Sequence, residues 1–126
     1  MPSSKVQPKK DRRKIELGQK FERLAARFYT DNGFTILERN WRAGRKEIDL
    51  IVRRSNLVAF VEVKASRSKR FGHPVERVGR RKIENLSNCA RQYIIAKDLK
   101  DVDLRFDVVT FVDGRLEHYP NAFEVE

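Results

Sequence analysis

Hydrophobic residues recur at helical spacing in two segments of the chain. In the first segment the repeat stops at Asn32-Gly33, a pair typical of helix ends, so it predicts a helix over about residues 15–31. Its hydrophobic positions are Leu17, Phe21, Leu24, Ala25 and Phe28. The second segment predicts a helix through Ile83, Leu86, Ala90, Tyr93 and Ile94.

Around these helices the pattern changes to that of β-strands. Strands are predicted over residues 34–38, 47–52, 57–64 and 104–112, and a short final strand over about 115–119. The Asp113-Gly114 pair marks the turn before the final strand. A helix that connects two strands usually makes a parallel crossover. The order of helix, three strands, helix and strand therefore predicts an α/β fold, in which helices flank a mixed central sheet.

Three charged residues lie within the two central strands, which are otherwise among the most apolar segments of the chain. They are Asp49, Glu62 and Lys64. A buried carboxylate is costly unless it has a partner, and several carboxylates together persist most readily when a cation bridges them. This hairpin is therefore the candidate working site.

The turn of the hairpin decides which side chains share a face of the sheet. A two-residue loop, either Arg54-Ser55 or Ser55-Asn56, puts Glu47 and Asp49 on the face of Glu62 and Lys64, whereas a three-residue loop puts them on the other face. The face opposite Glu62 and Lys64 is predicted to be apolar. Its residues are Ile48, Leu50, Val52, Leu57, Ala59, Val61 and Val63.

Oxygen ligands in this arrangement suit Mg²⁺ or Mn²⁺ and the hydrolysis of phosphodiesters. Asp49 and Glu62 are the candidate ligands, and the backbone carbonyl of Val63 offers a further oxygen. Lys64 could orient the attacking water, assist its deprotonation or stabilise transition-state charge, and the sequence leaves these three roles open. A cross-strand ion pair is the alternative interpretation of the same residues.

The charge of the chain favours a nucleic-acid partner, because 28 Lys and Arg against 18 Asp and Glu leave a formal net charge of +10. Residues 1–14 are basic and nearly without large apolar side chains, so we expect a disordered arm before a single domain of residues 15–126. A second basic cluster, for which a solvated face is the alternative, is the candidate nucleic-acid-binding surface. It comprises Arg67, Lys69, Arg70, Arg77, Arg80, Arg81 and Lys82.

Other classes of protein are not favoured by the sequence. No segment has the apolar length of a secretory signal or a membrane span, so we expect a cytoplasmic protein without a membrane partner. Cys89 lies in the second helical pattern and is predicted to be buried or half-buried. His73 and His118 have no neighbours at zinc spacing, so each is predicted to be an ordinary loop or strand-end residue.

The order of elements, together with Asp49 and the Glu62-x-Lys64 triplet, resembles the PD-(D/E)xK or restriction-endonuclease-like superfamily, whose core has the order αβββαβ. A set of motifs over about residues 15–112 more closely resembles the small bacterial YraN-like family, which is compared with Holliday-junction resolvases on fold and motif. The motifs are Gly18-x3-Glu22-x2-Ala25-Ala26, Gly33-Phe34-x-Ile36-Leu37-x-Arg39-Asn40-x-Arg42, Glu47-Ile48-Asp49-Leu50-Ile51, Phe60-Val61-Glu62-Val63-Lys64, Phe71-Gly72 and Arg105-Phe106-Asp107-Val108-Val109.

The resemblance implies a role for a carboxylate of the first helix. Related nucleases often add such a group to the metal site, and Glu22 lies at the border of the apolar stripe, where it could reach the sheet. Without the resemblance, Glu22 reads as a solvated helix residue. Asp107 could also join the site, although a strand-end ion pair with a nearby arginine is the default expectation.

Three functions remain open on these grounds. The first is a Mg²⁺- or Mn²⁺-dependent nuclease that acts on DNA, including structured or branched DNA, with Glu22, Asp49 and Glu62 as ligands and Lys64 as the catalytic cation. Junction cleavage would favour a homodimer. The second is a binding module without catalysis, which holds DNA or structured RNA through the basic arm and the second basic cluster. DNA is expected as the nucleic-acid partner ahead of RNA. The third is an adaptor in a larger complex, with an exposed apolar surface formed by Trp41, Phe71, Tyr119 and Phe123.

Overall fold

The computed structural model describes residues 9–66 and 78–123, with side chains from residue 12 onward. Within these ranges the chain forms two helices and five strands. They are α1 (Lys9–Asp31), β1 (Thr35–Ala43), β2 (Lys46–Arg54), β3 (Leu57–Ser66), α2 (Arg80–Ala96), β4 (Asp103–Val112) and β5 (Arg115–Phe123).

The five strands form one sheet in the order β1-β2-β3-β4-β5. Strands β3 and β4 pair in parallel, and the other neighbours pair antiparallel. Parallel neighbours need a long connection, and α2 lies within it. The fold is therefore the predicted mixed α/β sheet with two helices, consistent with a restriction-endonuclease-like αβββαβ core, and β5 extends that core by one strand.

Two hydrophobic cores lie on opposite faces of the sheet. Residues of α1 pack in the first core on alternate residues of the central strands, among them Leu50, Val52 and Val61. Residues of α2 pack in the second core on the intervening positions, among them Ile51 and Phe60. The central strands are thus apolar on both faces, as their continuous hydrophobic runs predict. Cys89 is 1% exposed within the second core, which confirms that it is buried.

Helix α1 begins at Lys9, six residues before the start that the hydrophobic repeat predicts. Residues 9–14 were expected in the disordered arm, but they are helical, because lysine and arginine are good helix formers. Residues 12–20 are all exposed, so this half of α1 extends beyond the first core. The remainder of the predicted arm, residues 1–8, lies outside the described residues.

Of the four residues expected to form an adaptor's apolar surface, the three that the structure describes are half-buried: Trp41, Tyr119 and Phe123. Trp41 packs edge-on against Tyr93 with ring centroids 5.1 Å apart, and Phe123 stacks on Phe106 at 5.0 Å. Both side chains therefore contribute to the second core and are half-buried. Phe71 lies outside the described residues. Over the ranges that the structure covers, neither helix is long and apolar enough to span a membrane.

Candidate functional site

The two central strands separate where the acidic residues lie. The pairing of β2 with β3 runs from Arg54 and Leu57 to Leu50 and Val61, with Ser55-Asn56 as a two-residue loop. Beyond that pairing, the backbone N–H of Val63 donates a hydrogen bond of 2.8 Å to Oδ2 of Asp49. The carboxylate of Asp49 is thus held in the opening between the strands.

Strand β2 changes faces at the same point. Ile48 and Ile51 both pack in the second core, beneath α2, whereas Leu50 packs in the first core, beneath α1. Strict alternation cannot place Ile48 and Ile51 on one face, so two successive residues, Asp49 and Leu50, must lie on the α1 side. Asp49 and Glu47 accordingly line a cavity beside α1.

This change of face corrects one prediction. The two-residue loop was expected to place Glu47 and Asp49 on the face of Glu62, and Ile48 on the face of Leu50. Instead, Asn40 of β1 lies across from Asp49 with a left-handed backbone, φ +50°, and the alternation breaks in both strands there. Glu62 remains on the α2 side, where it contacts Lys82.

The carboxylates of Glu22, Glu47 and Asp49 converge in the cavity beside α1. One carboxylate oxygen from each residue lies within 4.8 Å of those of the other two, and each residue is half-buried. Desolvation, followed by the charge of Glu47, raises the pKa of Glu22. The guanidinium of Arg42 lies on the rim of the cavity, where its Nη2 is 3.1 Å from Oε2 of Glu47.

Glu62 completes the group from the other side of the strand opening. The residue is 7% exposed, and its Oε2 atom is buried without a hydrogen-bond donor among the described residues. Nζ of Lys82 lies 3.3 Å from this oxygen as an ion pair, although its geometry does not make a hydrogen bond. Desolvation raises the pKa of Glu62, and the charges of Lys82 and Lys64 oppose that rise.

Asp49 lies between the carboxylates on the α1 side of the sheet and Glu62 on the α2 side. Desolvation and then the charge of Glu62 raise the pKa of Asp49 to about 7, while the hydrogen bond from Val63 acts in the opposite direction. A raised pKa means that the fold disfavours the charged form of these carboxyls, and a bound cation would stabilise that form, as in a site that accepts a cation.

The remaining candidate residues differ in how close they lie to this group. Val63 lines the cavity, and half-buried Lys64 lies near enough to Glu62 to lower its pKa. At the start of α2, Lys82 reaches Glu62, whereas Arg80 is exposed and pairs with Glu84 at 3.6 Å. Arg81 is also exposed. Arg67, Lys69, Arg70 and Arg77 lie outside the described residues.

Asp107 belongs to a separate buried network. Arg105 pairs with it at 2.8 Å, which confirms the expected ion pair, and Tyr29 and His118 also contact it, at 2.8 and 3.0 Å. His118 was expected to be an ordinary strand-end residue, but in β5 its ring faces this buried carboxylate. Sequence gave no signal for that contact, because the partners are far apart in the chain. His73 lies outside the described residues.

Two residues of the carboxylate site, Glu47 and Asn40, were not predicted to belong to it. Glu47 was noted only for its place in the hairpin, and its alternation with Asp49 was the available signal. Asn40 carried no signal of its own, because its position depends on a break in the strand pattern that no hydrophobic repeat reveals.

The cavity beside the carboxylates is open and has a volume of about 600 Å³. Helix α1 lines one side of it with Lys14, Ile15, Gly18, Gln19, Phe21 and Glu22, and the strands line the other with Asn40, Arg42, Glu47, Asp49, Val63 and Ala65. No atom of the described residues lies within 4 Å of a Cβ built on Gly18. Glycine in a helix interior costs stability, so Gly18 leaves space at the expense of helix propensity.

Replacing Gly18 by alanine is therefore expected to raise the free energy of unfolding by about 0.5–1 kcal/mol, measured by urea denaturation. Gly33→Ala is the matched control, because Gly33 has φ +84° and the same substitution there should be destabilising. A loss of stability in Gly18→Ala would mean that the position is not open.

Taken together, the fold and this site define a small α/β protein in which four carboxylates surround the opening between the two central strands. The chain belongs to the family described as "Uncharacterised protein family UPF0102", whose model matches residues 21–111. This match confirms the resemblance to the YraN-like family. The matched region contains Glu22, Asn40, Glu47, Asp49, Glu62 and Lys64.

Curated relatives agree with this assignment. A UPF0102 protein of Chloroherpeton thalassium is 42% identical over 98 residues, which cover 78% of this chain and 76% of the relative. A UPF0102 protein of Sulfurihydrogenibium sp. is 35% identical over 90% of this chain and 98% of its own length. One from Flavobacterium psychrophilum is 37% identical over 86% of this chain and 93% of its own length. These descriptions state no activity.

Proposed function

We propose that this protein is a metal-dependent nuclease that hydrolyses phosphodiester bonds in DNA, including branched DNA. One observation supports the proposal more strongly than the others. Oε2 of Glu62 is buried without a hydrogen-bond donor among the described residues, beside an Asp49 whose pKa is raised to about 7. The ammonium of Lys82 lies 3.3 Å from this oxygen as an ion pair, and a buried carboxylate oxygen without a well-formed hydrogen bond has capacity for a ligand.

The residues present fit a divalent cation of the Mg²⁺ class. The carboxylates of Glu22 and Asp49 converge with that of Glu47, and Glu62 is close enough to Asp49 to raise its pKa. These oxygens, with the carbonyl of Val63 as a proposed backbone ligand, match the preference of Mg²⁺ and Mn²⁺. No histidine or cysteine of the described residues joins the cluster, which argues against zinc. A cation would also relieve the repulsion that raises the pKa values of Glu22, Asp49 and Glu62.

Each residue has a role in this proposal. The cation would be held by Asp49, Glu62 and Glu22, together with the carbonyl of Val63. When bound, the cation supplies charge neutralisation at the phosphate and lowers the pKa of a water molecule. Lys64, which follows Glu62 by two positions on β3, projects to the same side and offers an ammonium to orient water or to stabilise charge on the phosphate. Lys82 adds a second ammonium near the same carboxylate.

The partner is proposed from charge. The net charge of +10 favours a polyanion, and two basic residues, Lys14 and Arg42, line the cavity. Further basic side chains are exposed on α1, namely Arg12, Arg13, Lys20 and Arg23. Basic side chains beside an acidic centre suit phosphates that flank the bond to be cut. Arg80, Arg81 and Lys82 at the start of α2 offer further basic side chains on the other face of the sheet. Arg67, Lys69 and Arg70, which lie outside the described residues, are proposed as additional nucleic-acid contacts. A homodimer that cuts two matched strands is the proposed form on a four-way junction.

A second candidate function is a binding module for DNA or structured RNA that has no catalytic step. The ion pair between Lys82 and Glu62 favours it, because an ammonium 3.3 Å from that carboxylate already supplies positive charge where the cation would bind. This module would bind nucleic acid with strong salt dependence and without any effect of Mg²⁺ or of Asp49.

The test is cleavage of a labelled four-way junction, a linear duplex and a single strand, each with Mg²⁺ and with Mn²⁺. Asp49→Asn is expected to lower the cleavage rate by at least ~100-fold while leaving binding largely in place, because a direct ligand is lost. Asp98→Asn is the matched control, since exposed Asp98 lies after α2 and pairs only with exposed Lys100 in the described residues. Binding without cleavage by the wild type under either metal would favour the binding module instead.

A further inference from the structure

Asn40 is the residue at which β1 and β2 both depart from regular geometry. Its φ of +50° is left-handed, a conformation that asparagine tolerates better than most side chains. It lies between the pairs Arg39–Leu50 and Trp41–Ile48, directly across from Asp49. The left-handed backbone of Asn40 therefore lies at the position where β2 changes faces and brings Asp49 and Glu47 to the α1 side.

The side chain of Asn40 makes a second contribution at the same place. Its amide lies between two carboxylates, so its nitrogen must face them, since an amide oxygen there would repel both. In that orientation Nδ2 donates to Oε2 of Glu22 at 2.8 Å and to Oε1 of Glu47 at 2.9 Å. A single amide thus links a carboxylate of α1 to a carboxylate of β2.

We propose that Asn40 is a positioning residue that holds Glu22 and Glu47 together toward Asp49, and that Glu47 is a further ligand of the divalent cation. This inference rests on the proposed function, because it assigns residues to the same metal site. Three carboxylates within 4.8 Å repel one another, so their convergence needs donors. An amide with two N–H groups satisfies two carboxylates without adding the charge that would compete with a cation.

The competing explanation is that Asn40 is present only for its backbone. Glycine separates the two explanations, because it adopts φ +50° without strain but has no amide. The chain offers a matched control in Asn121 of β5, which is also exposed and has φ +53°. The Asn121 contact to Asp107 is made by its backbone N–H, which glycine retains.

The experiment measures Mn²⁺ binding by calorimetry for the wild type, Asn40→Gly, Asn121→Gly and Glu47→Gln, with unfolding in chelator as the measure of folding. Asn40→Gly is expected to weaken Mn²⁺ binding by ~10–100-fold, the usual effect of losing a group that orients a ligand. Glu47→Gln should weaken it at least as much. Asn121→Gly should stay within about twofold of the wild type, since its side chain lies outside the site.

The double variant Asn40→Gly/Glu47→Gln tests whether the two residues act together. If Asn40 acts partly through Glu47, the double variant should lose less affinity than the sum of the two single losses. Equal Mn²⁺ affinity of Asn40→Gly and Asn121→Gly would overturn the positioning role and leave the proposed nuclease standing. Wild-type Mn²⁺ affinity in Glu47→Gln would overturn the ligand role, even if Asn40→Gly failed to fold. Absence of Mn²⁺ binding by the wild type would overturn both the proposed function and this inference.

Discussion

Asp107→Asn is expected to lower the free energy of unfolding by about 3–5 kcal/mol, the effect of breaking a buried ion pair. Asp107 is 0% exposed, and its two oxygens accept hydrogen bonds from four residues. Arg105 donates at 2.8 and 3.1 Å, Tyr29 at 2.8 Å, His118 at 3.0 Å and the backbone N–H of Asn121 at 3.0 Å. An asparagine would turn an NH₂ group toward these donors and leave half-buried Arg105 without its anion.

Urea denaturation at pH 7 measures this effect, and Asp98→Asn provides the exposed comparison. Burial alone would raise the pKa of Asp107, but the hydrogen bonds from Arg105, His118, Asn121 and Tyr29 together lower it. A carboxyl with a lowered folded pKa stabilises the fold above its ordinary pKa of 3.8, and that contribution is lost as the pH falls below it. The wild type and Asp107→Asn should therefore converge in free energy of unfolding at acid pH. A loss below about 1 kcal/mol at pH 7 would mean that asparagine satisfies the network.

The fold could be predicted from the chain because its strongest signals are local or periodic. The helical repeat from Leu17 to Phe28 and the two apolar runs around Ser55-Asn56 specify α1 and the central hairpin. Because the central strands are hydrophobic on both of their opposite faces, the sheet needs a helix on each side to bury them. The charge of residues 9–14 obscured the true start of α1, because a basic run is compatible both with helix and with disorder.

The site could be predicted only in part. Asp49 and Glu62 stand out because they are charged residues inside apolar strands, and that contrast is visible in the sequence. The place of Glu47 and Asp49 beside α1 could not be predicted, because it depends on a break in alternation across from Asn40. The same limit applies to Tyr29 and His118, which meet Asp107 only after α1 has packed on β4 and β5. Long-range pairing of polar groups leaves no periodic trace in a chain.

Buried Asp107 and half-buried Asp49 provide a physical test of which aspartate serves function. Asp107 is surrounded by donors and has a lowered pKa, so the fold stabilises its charge. Asp49 accepts one hydrogen bond from the backbone of Val63 and faces Glu62, so the fold opposes its charge. A carboxylate that destabilises its own fold is kept for another reason, and a cation is the simplest partner that would reverse the effect. The same substitution should therefore have opposite consequences at the two positions.

Asp49→Asn is accordingly expected to raise the free energy of unfolding of the metal-free protein by about 1–3 kcal/mol at pH 8, a discounted conversion of the shift in pKa. Its amide oxygen can still accept the hydrogen bond from Val63, while the repulsion with Glu62 disappears. In saturating Mn²⁺ the order should reverse, because a ligand at about 1,000 times its Kd stabilises the wild type by about 4.1 kcal/mol. Thermal and urea unfolding in chelator and in Mn²⁺ measure both effects.

The pH dependence provides a further check with a defined sign. The pKa of Asp49 rises from 3.8 to about 7 on folding, so its charge costs nothing below pH 3.8 and the cost grows until the pH exceeds about 7. The stability of metal-free wild type should therefore fall relative to Asp49→Asn between those two pH values, whereas Asp98→Asn should follow the wild type throughout. If Asp49→Asn were instead less stable than the wild type at pH 8 in chelator, Asp49 would be a structural carboxylate like Asp107. The argument for a cation between Asp49 and Glu62 would then lose its electrostatic basis.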